Sequence, residues 1–231
     1  MITKTRVLSI QFANEIKSQE IPLFRGAVIG ALDSSNILFH NHKEDGFRYS
    51  YPLIQYKRKD GKAMIICIGE GTEAIGCFFQ NANLEVSIGT RMIKLEISDL
   101  KAYQFITQIW NDLFTYRINR WMPLNKENYE IFRSNDSIAD RYAMLENILT
   151  GNILSFAKGI GVFFDKEVIC KITDINEPHL VQYKDTKMMI FNATFKSNVS
   201  LPDYIGLGKG VSIGYGEIRK QNNYNTNNYG N

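Results

Sequence analysis

Hydrophobic positions recur along the chain with two different periods. In residues 6–12, Leu8, Ile10 and Phe12 fall at every second position with polar residues between them, which predicts a strand that buries one face. In residues 21–32 the apolar side chains instead recur at three and four positions, the pattern of an amphipathic helix. The chain is therefore expected to begin as a strand followed by a helix.

The first half continues with alternating strand and helix patterns. The further predicted elements are a short extended segment at 36–42, strands at 47–56 and 63–68, a helix at 72–81, and strands at 84–88 and 91–97. This is the element order of a ferredoxin-like βαββαβ unit, whose sheet is antiparallel. We therefore predict an α+β fold in which residues 1–100 form one ferredoxin-like, RRM-like domain.

The second half repeats this order less clearly. The predicted elements are extended segments at 105–116 and 128–132, a helix at 137–158 with Asp136 as its N-cap, strands at 168–175 and 188–196, and a closing strand at 212–219. They predict a second, tandem ferredoxin-like domain at residues 101–220, with the boundary near residues 98–103. Residues 221–231 are rich in Asn, Tyr and Gly and cannot bury a core, so a disordered tail is expected there.

Composition limits the class of protein. With 231 residues and 44% hydrophobic content the chain can bury a core, and its apolar runs fall short of the ~20 residues that span a bilayer, so a cytoplasmic protein is expected. Cys67, Cys77 and Cys170 are too widely spaced for a zinc pattern and odd in number, which favours small buried side chains. A net charge of +3 permits an RNA partner without requiring one.

A basic run precedes a predicted turn. Lys57, Arg58 and Lys59 stand immediately before Asp60 and Gly61, a dipeptide that favours a hairpin turn between two apolar runs. Such a run is either a solvated turn at a sheet edge or a contact for RNA phosphate.

Five glycines fall within residues 206–216, flanked by apolar residues and not by linker residues. Glycine allows positive φ and close approach to the main chain, the N–H groups of such a turn suit phosphate, and Lys209 adds a cation. The alternative is a hairpin that only turns the chain. The Gly-Lys runs at 61–63 and 208–210 lack the ending of a Walker phosphate loop, and no helical pattern follows Gly216 as a dinucleotide fingerprint requires.

Two of the three histidines, His40 and His42, are separated by one residue. On an extended segment they point to the same side, roughly 6.5–7 Å apart along the chain. The residues alone leave three interpretations open: a metal site, a pair of surface polar residues, or a general acid and base. A metal site needs a further ligand, and His179 lies in the other half of the chain without a ligand-like companion.

Several runs resemble one known family. The run at 201–210, Leu-Pro-Asp-Tyr-Ile-Gly-Leu-Gly-Lys-Gly, resembles the glycine-rich loop of the CRISPR-associated RAMP superfamily, and of its repeat-RNA-processing, subtype I-B-like branch in particular. The run at 149–159 resembles the C-terminal domain of that branch. The His-Asn-His of 40–42, followed by Phe-Arg-Tyr-Ser-Tyr-Pro at 47–52, resembles its catalytic neighbourhood.

The resemblance implies roles for individual residues. It implies that His40 and His42 are the catalytic acid and base, with Tyr49 assisting, although Tyr51 and Tyr56 stand close to it. It also implies RNA contacts by basic residues and by the glycine-rich stretch, namely Arg25, Arg48, Lys57, Arg58, Lys59, Gly206, Gly208, Lys209, Gly210, Gly214 and Gly216.

The activity implied by the resemblance is that of an endoribonuclease with neither metal nor cofactor. It would cleave CRISPR repeat RNA, the precursor crRNA, by attack of a 2′-OH, leaving 2′,3′-cyclic phosphate and 5′-OH ends; other subunits of a CRISPR effector complex are further partners to test. Two alternatives stay open. A non-catalytic RNA-binding RAMP subunit would retain the glycine-rich stretch and have no use for the histidine pair, and a metal-dependent hydrolase would need a metal site.

Overall fold

The N-terminal half is built around an antiparallel sheet. The structure is a computed structural model that describes residues 4–31, 42–43, 46–47, 51–81 and 84–221, with the backbone alone at residues 42, 43, 46, 47, 77 and 81. The elements of this half are β1 (Lys4–Glu15), α1 (Ile21–Gly30), β2 (His42–Lys43), β3 (Gly46–Phe47), β4 (Ile54–Lys59), β5 (Lys62–Ile68), α2 (Gly71–Asn81), β6 (Glu85–Ile88), β7 (Arg91–Lys94) and β8 (Ile97–Ile106).

The strand order of this sheet confirms the predicted ferredoxin-like unit. The order is β4-β5-β1-β8, and every neighbouring pair is antiparallel. Ile10 and Phe12 of β1 point to the same side of the sheet as predicted, and they are buried in a cluster with Phe24 of α1 and Phe78 of α2. The two helices therefore cover one face of the sheet.

The C-terminal half repeats the same strand order. Its elements are β9 (Ile109–Trp121), α3 (Lys126–Ser134), α4 (Ile138–Gly159), β10 (Cys170–Ile175), β11 (His179–Tyr183), β12 (Thr186–Val199) and β13 (Glu217–Lys220). The sheet order is β10-β12-β9-β13, with β11 paired to β12. Residues 200–216, all of them described, contain a 3-10 turn at Val211–Ile213 where a second helix would stand in a complete βαββαβ unit.

Several predicted elements differ from the structure. The closing strand predicted at 212–219 begins at Glu217, and the 3-10 turn occupies Val211–Ile213. Residues 128–132, predicted to be extended, belong to α3, because the Asn125 side chain caps this helix by accepting a hydrogen bond from the Asn128 N–H. The N-cap of α4 is Ser137 and not Asp136. Strand β4 begins at Ile54, so residues 51–53 lie before the strand that was predicted to include them.

The change from one sheet to the other comes at residues 107–108. Strand β8 pairs with β1 along its length, as far as Ile106 opposite Lys4, and β9 begins at Ile109. The predicted boundary at 98–103 falls inside β8, which hydrophobic pattern alone could not assign to either sheet.

One hydrophobic cluster spans both halves. Val7, Ile66 and Ile68, on the sheet face away from α1 and α2, pack in the same cluster as Phe156 of α4 and Leu207 of the C-terminal half. The N-terminal sheet is therefore covered on both faces, by helices on one and by the C-terminal half on the other.

The structure bears on two further expectations, the burial of the cysteines and the absence of a membrane-spanning helix. Cys67 and Cys170 are buried free thiols, as predicted, and burial raises the pKa of both. Within the part of the chain that the structure describes, we find no helix with the length and hydrophobicity to cross a membrane.

Candidate functional site

The segment that carries the predicted catalytic residues runs from the end of α1 to the start of β4. His40, Arg48 and Tyr49 lie outside the described residues, and His42 is described by its backbone in β2, opposite Phe47 of β3. The catalytic role of these residues therefore stays a prediction. The structure describes the chain again from Tyr51 onward, and it therefore shows which contacts hold the C-terminal end of this segment.

Tyr51 is tied to the glycine-rich stretch by buried hydrogen bonds. Its hydroxyl donates to the Gly206 carbonyl oxygen at 2.8 Å and accepts from the Gln55 side-chain amide at 2.8 Å. The Gly206 N–H in turn donates to the other end of the Gln55 amide, its Oε1, at 2.9 Å. Burial raises the pKa of Tyr51, so its hydroxyl remains a neutral donor. Gly206 is thus held through both its carbonyl oxygen and its N–H.

Lys57 is a third contact between β4 and this stretch, and it corrects a prediction. The sequence placed Lys57 in an exposed basic patch, but its side chain is fully buried and its ammonium donates to the Val211 carbonyl oxygen at 3.2 Å. The correction has a physical cause: β4 alternates Ile54 and Tyr56 toward the helices with Gln55 and Lys57 toward the C-terminal half, and both faces are covered. An RNA phosphate cannot reach Lys57 in this arrangement.

The charge of Lys57 is costly in this position. Burial lowers the pKa of Lys57 to about 8, with Glu217 opposing the shift and Arg120 adding to it. Because the pKa is lower in the folded than in the unfolded chain, the unfolded chain binds more protons between pH 8 and pH 10.5. The cost is therefore fully present below pH 8 and is relieved as the pH rises.

We expect the free energy of unfolding to increase as the pH rises above 8, because the buried ammonium of Lys57 then loses its proton. Between pH 8 and pH 9.5 the wild type should gain up to about 1.4 kcal/mol per pH unit relative to Lys57→Met, which has no titratable group at this position. Urea unfolding of both proteins at several pH values measures the difference. Parallel pH profiles for the two proteins would contradict a buried, titrating Lys57.

The rest of the basic run lies at the surface. Arg58 is exposed and donates from Nε to the Ile16 carbonyl oxygen at 2.6 Å. The Lys59 ammonium lies 5.2 Å from the ring centre of Tyr204, and the Arg219 guanidinium lies 4.8 Å from the same ring. Arg58 and Lys59 thus remain available to a ligand, and their predicted contact with RNA stays a prediction.

The glycines of residues 206–216 lie against protein atoms. Gly216 has a φ of +64°, and a β-carbon there would overlap the carbonyl oxygen of Leu207. A β-carbon at each of the other four would come within 3.0 Å of atoms in Tyr215 and Val211 (from Gly206), Trp121 (Gly208), Met122 and Tyr215 (Gly210) and Ile21 (Gly214). Protein packing therefore accounts for the glycines. Lys209, which was predicted with them to contact RNA, has an exposed side chain.

The long helix α4 completes the same contact. A β-carbon at Gly159, the last residue of α4, would overlap the β-carbon of Tyr51, and the Phe156 ring packs against the Tyr51 ring at 5.1 Å. The Asn152 side chain accepts a hydrogen bond at 2.9 Å from Trp121 Nε1, the atom nearest to Gly208. The run before β4, the run at 149–159 and the glycine-rich stretch thus meet in one place.

The sequence did not indicate the residues that join the run before β4, residues 149–159 and the glycine-rich stretch. The sequence indicated Tyr51 only as an alternative to Tyr49 in catalysis, and it indicated no role for Gln55 or Asn152. The available signal was the alternation of Gln55 and Lys57 with the apolar Ile54 and Tyr56, since buried polar groups are retained with hydrogen-bond partners.

A metal site would need several acidic, cysteine or histidine side chains close together. Within the described ranges, no three of these side chains come together in a way that could hold a metal ion, and those ranges do not include His40 or the side chain of His42. His179 lies exposed on β11.

Comparison with known proteins gives consistent matches over both halves. The family model of the Cas6b N-terminal domain matches residues 2–106, and that of the Cas6b C-terminal domain matches residues 108–221. An uncharacterized protein of Methanocaldococcus jannaschii is 33% identical over 101 residues, which are 44% of this chain and 67% of that protein.

Solved structures show the same relationship. A crystal structure of Cas6b is 27% identical with a TM-score of 0.84, and a structure of the CRISPR RNA processing endoribonuclease Cas6b is 26% identical with a TM-score of 0.72; each match covers 95% of this chain and 100% of the other. A type IV Cas6 crRNA endonuclease, 13% identical with a TM-score of 0.55, shares the fold. With both Cas6b domain models matched in order and almost end to end, the chain belongs to the Cas6b family, within the RAMP-type CRISPR proteins.

Proposed function

We propose that this protein is an endoribonuclease that processes CRISPR repeat RNA and that it cleaves without a metal ion. The observation that carries the proposal is the match of both Cas6b domains to one chain that also contains the His40-x-His42 pair. The similar structure of a CRISPR RNA processing endoribonuclease, covering 95% of the chain, supports the same activity.

The proposed chemistry uses the nucleophile that RNA carries. One histidine removes the proton of the 2′-OH, the 2′-oxygen attacks the adjacent phosphorus, and the other histidine protonates the departing 5′-oxygen. The bond to the 5′-oxygen breaks as the bond to the 2′-oxygen forms, which gives a 2′,3′-cyclic phosphate and a 5′-OH. A histidine pair suits both roles because the unperturbed pKa near 6.5 leaves both protonation states accessible.

Burial helps to choose the residues that would assist the two histidines. Tyr51 and Tyr56 are both buried, and Tyr51 is committed to Gly206, which favours Tyr49 as the tyrosine that orients a histidine or the phosphate. Arg48 and Arg25 are the cations proposed to stabilise charge on the phosphorane. Arg25, on α1, is partly exposed and stands at the N-terminal side of the catalytic segment.

A cleavage assay in a chelator tests this proposal against its two alternatives. Purified protein is incubated with repeat RNA in excess EDTA, and the product ends are determined with a phosphatase and kinase. Cleavage at one position with cyclic phosphate ends is expected. Binding without cleavage would identify the protein as a non-catalytic RNA-binding subunit, and cleavage restored only by an added divalent ion would identify a metal-dependent hydrolase.

A further inference from the structure

A cavity of about 710 Å³ opens in the C-terminal half beside the glycine-rich stretch. It lies between the beginning of α3, the tip of the β11–β12 hairpin and Lys209. The residues that give it its character are Lys126, Tyr129, Tyr183, Lys184, Lys187 and Lys209. We call it the lysine-tyrosine cavity. Its described lining residues fall within residues 124–129, residues 183–189 and Lys209.

The lining carries an excess of positive charge. Four lysines, each exposed at its rim, face one carboxylate, that of Asp185. The lysines come from three separate parts of the chain, so the fold concentrates them. Mobile ammonium groups around an open cavity suit the phosphates of a nucleic acid.

The cavity also offers two aromatic rings. Tyr129 and Tyr183 are both half-buried, and Tyr183 is held by an edge-to-face contact with the ring of Tyr215, at 5.6 Å and 87°. Leu124 and Met188 add apolar surface beneath them. An aromatic ring next to cations is a platform for a stacked base, and the ring of Tyr183 is fixed in place by Tyr215.

The lysine-tyrosine cavity adjoins the elements that hold the catalytic segment. A β-carbon at Gly210 would lie 3.2 Å from the Tyr183 ring, so the hairpin tip packs on the glycine-rich stretch that anchors Tyr51. Ile21, the first residue of α1, packs on the same stretch, since a β-carbon at Gly214 would lie 2.8 Å from Ile21 Cδ1. The cavity and the C-terminal end of the catalytic segment at Tyr51 are therefore joined through the glycine-rich stretch.

We propose that the lysine-tyrosine cavity binds unpaired nucleotides of the same RNA, with a base stacked on Tyr129 or Tyr183 and the flanking phosphates on the lysines. The proposal rests on the function proposed above. Unpaired nucleotides fit because a splayed base can enter a cavity and stack on a ring, whereas an A-form duplex presents its backbone and shallow groove to a surface. The volume accommodates one or two nucleotides, within the usual range of ligand pockets.

The charge component is tested with Lys184→Gln/Lys187→Gln. Each lost phosphate contact on a single strand lowers the log–log salt slope of binding by about 0.7, so the double variant should lower it by about 1.4. The protein dependence of single-turnover cleavage gives the affinity, and the rate at saturating protein should stay within about twofold of wild type. The matched control is Lys166→Gln, which removes an exposed lysine that lines two other cavities.

The stacking component is tested at Tyr129. Tyr129→Leu keeps an apolar side chain and removes the ring, and the affinity should fall on the order of tenfold. Tyr129→Phe retains the ring and should bind as wild type does, which separates stacking from folding. The drop should be seen with repeat RNA containing unpaired flanks and should be absent with a fully paired stem.

The outcomes distinguish the two proposals. If the lysine and Tyr129 variants bind RNA like Lys166→Gln, the cavity is not an RNA site, whatever the wild type cleaves. Equal losses on paired and unpaired RNA would also overturn it, since they would indicate a duplex-binding surface. If wild-type protein binds repeat RNA without cleaving it while the cavity variants weaken that binding, the proposed catalysis fails and the cavity proposal stands.

Discussion

Replacing His40 or His42 with Ala should slow single-turnover cleavage of repeat RNA by at least about 100-fold. General acid and base groups act on protons that move in the transition state, so their loss lowers the chemical rate and leaves RNA affinity within a few-fold of wild type. Rates at saturating protein and binding isotherms of each variant measure the two effects separately.

His179→Ala is the control for this result. His179 is exposed on β11, and its replacement should leave cleavage near the wild-type rate. A bell-shaped dependence of the wild-type rate on pH, with one limb lost in each catalytic variant, would further support one acid and one base. Near wild-type cleavage by both the His40 and the His42 variants would rule out the proposed mechanism.

Gly216→Ala should destabilise the protein by about 3 kcal/mol or more. The new β-carbon would overlap the Leu207 carbonyl oxygen, and the φ of +64° is unfavourable for an L-residue, so backbone on one side of the stretch must move. Urea unfolding measures the change. Gly151→Ala is the matched control, because that glycine lies within α4 with open space around it and Ala favours a helix by roughly 0.5–1 kcal/mol.

This comparison also separates two explanations of the glycine-rich stretch. If the glycines serve protein packing, Gly216→Ala loses stability and RNA binding declines only as far as unfolding explains. A variant as stable as wild type with weak RNA binding would show that Gly216 is needed for the RNA and not for the fold.

Periodic elements were predictable, and elements specified by single contacts were not. In residues 8–12, Ile10 and Phe12 alternate with polar residues and lie under α1 and α2, so this pattern identified the strand. The helix α3 was missed because nine residues give little periodicity, and its start depends on one capping contact of Asn125. The burial of Lys57 was missed because a strand pattern does not show that a second domain covers the polar face.

In the candidate site, too, local motifs could be predicted from the sequence and long-range contacts could not. The glycines of 206–216 and the histidine pair were visible as motifs, since both depend on local spacing. The hydrogen bonds of Tyr51 and Gln55 with Gly206 join residues more than 150 positions apart, and a single sequence does not record which distant peptide a buried polar side chain meets.

The contact between Tyr51 and Gly206 has a consequence for how the protein matures on the ribosome. The carbonyl that Tyr51 requires is synthesised 155 residues after it, a delay of roughly 10 to 30 s at ordinary rates of translation. The N-terminal sheet can close earlier, when β8 emerges, but its polar face of Gln55 and Lys57 stays open to water until then. The hydrogen bond from Tyr51 to Gly206 therefore forms only when the nascent C-terminal half docks, and until then the segment with the histidines lacks this contact.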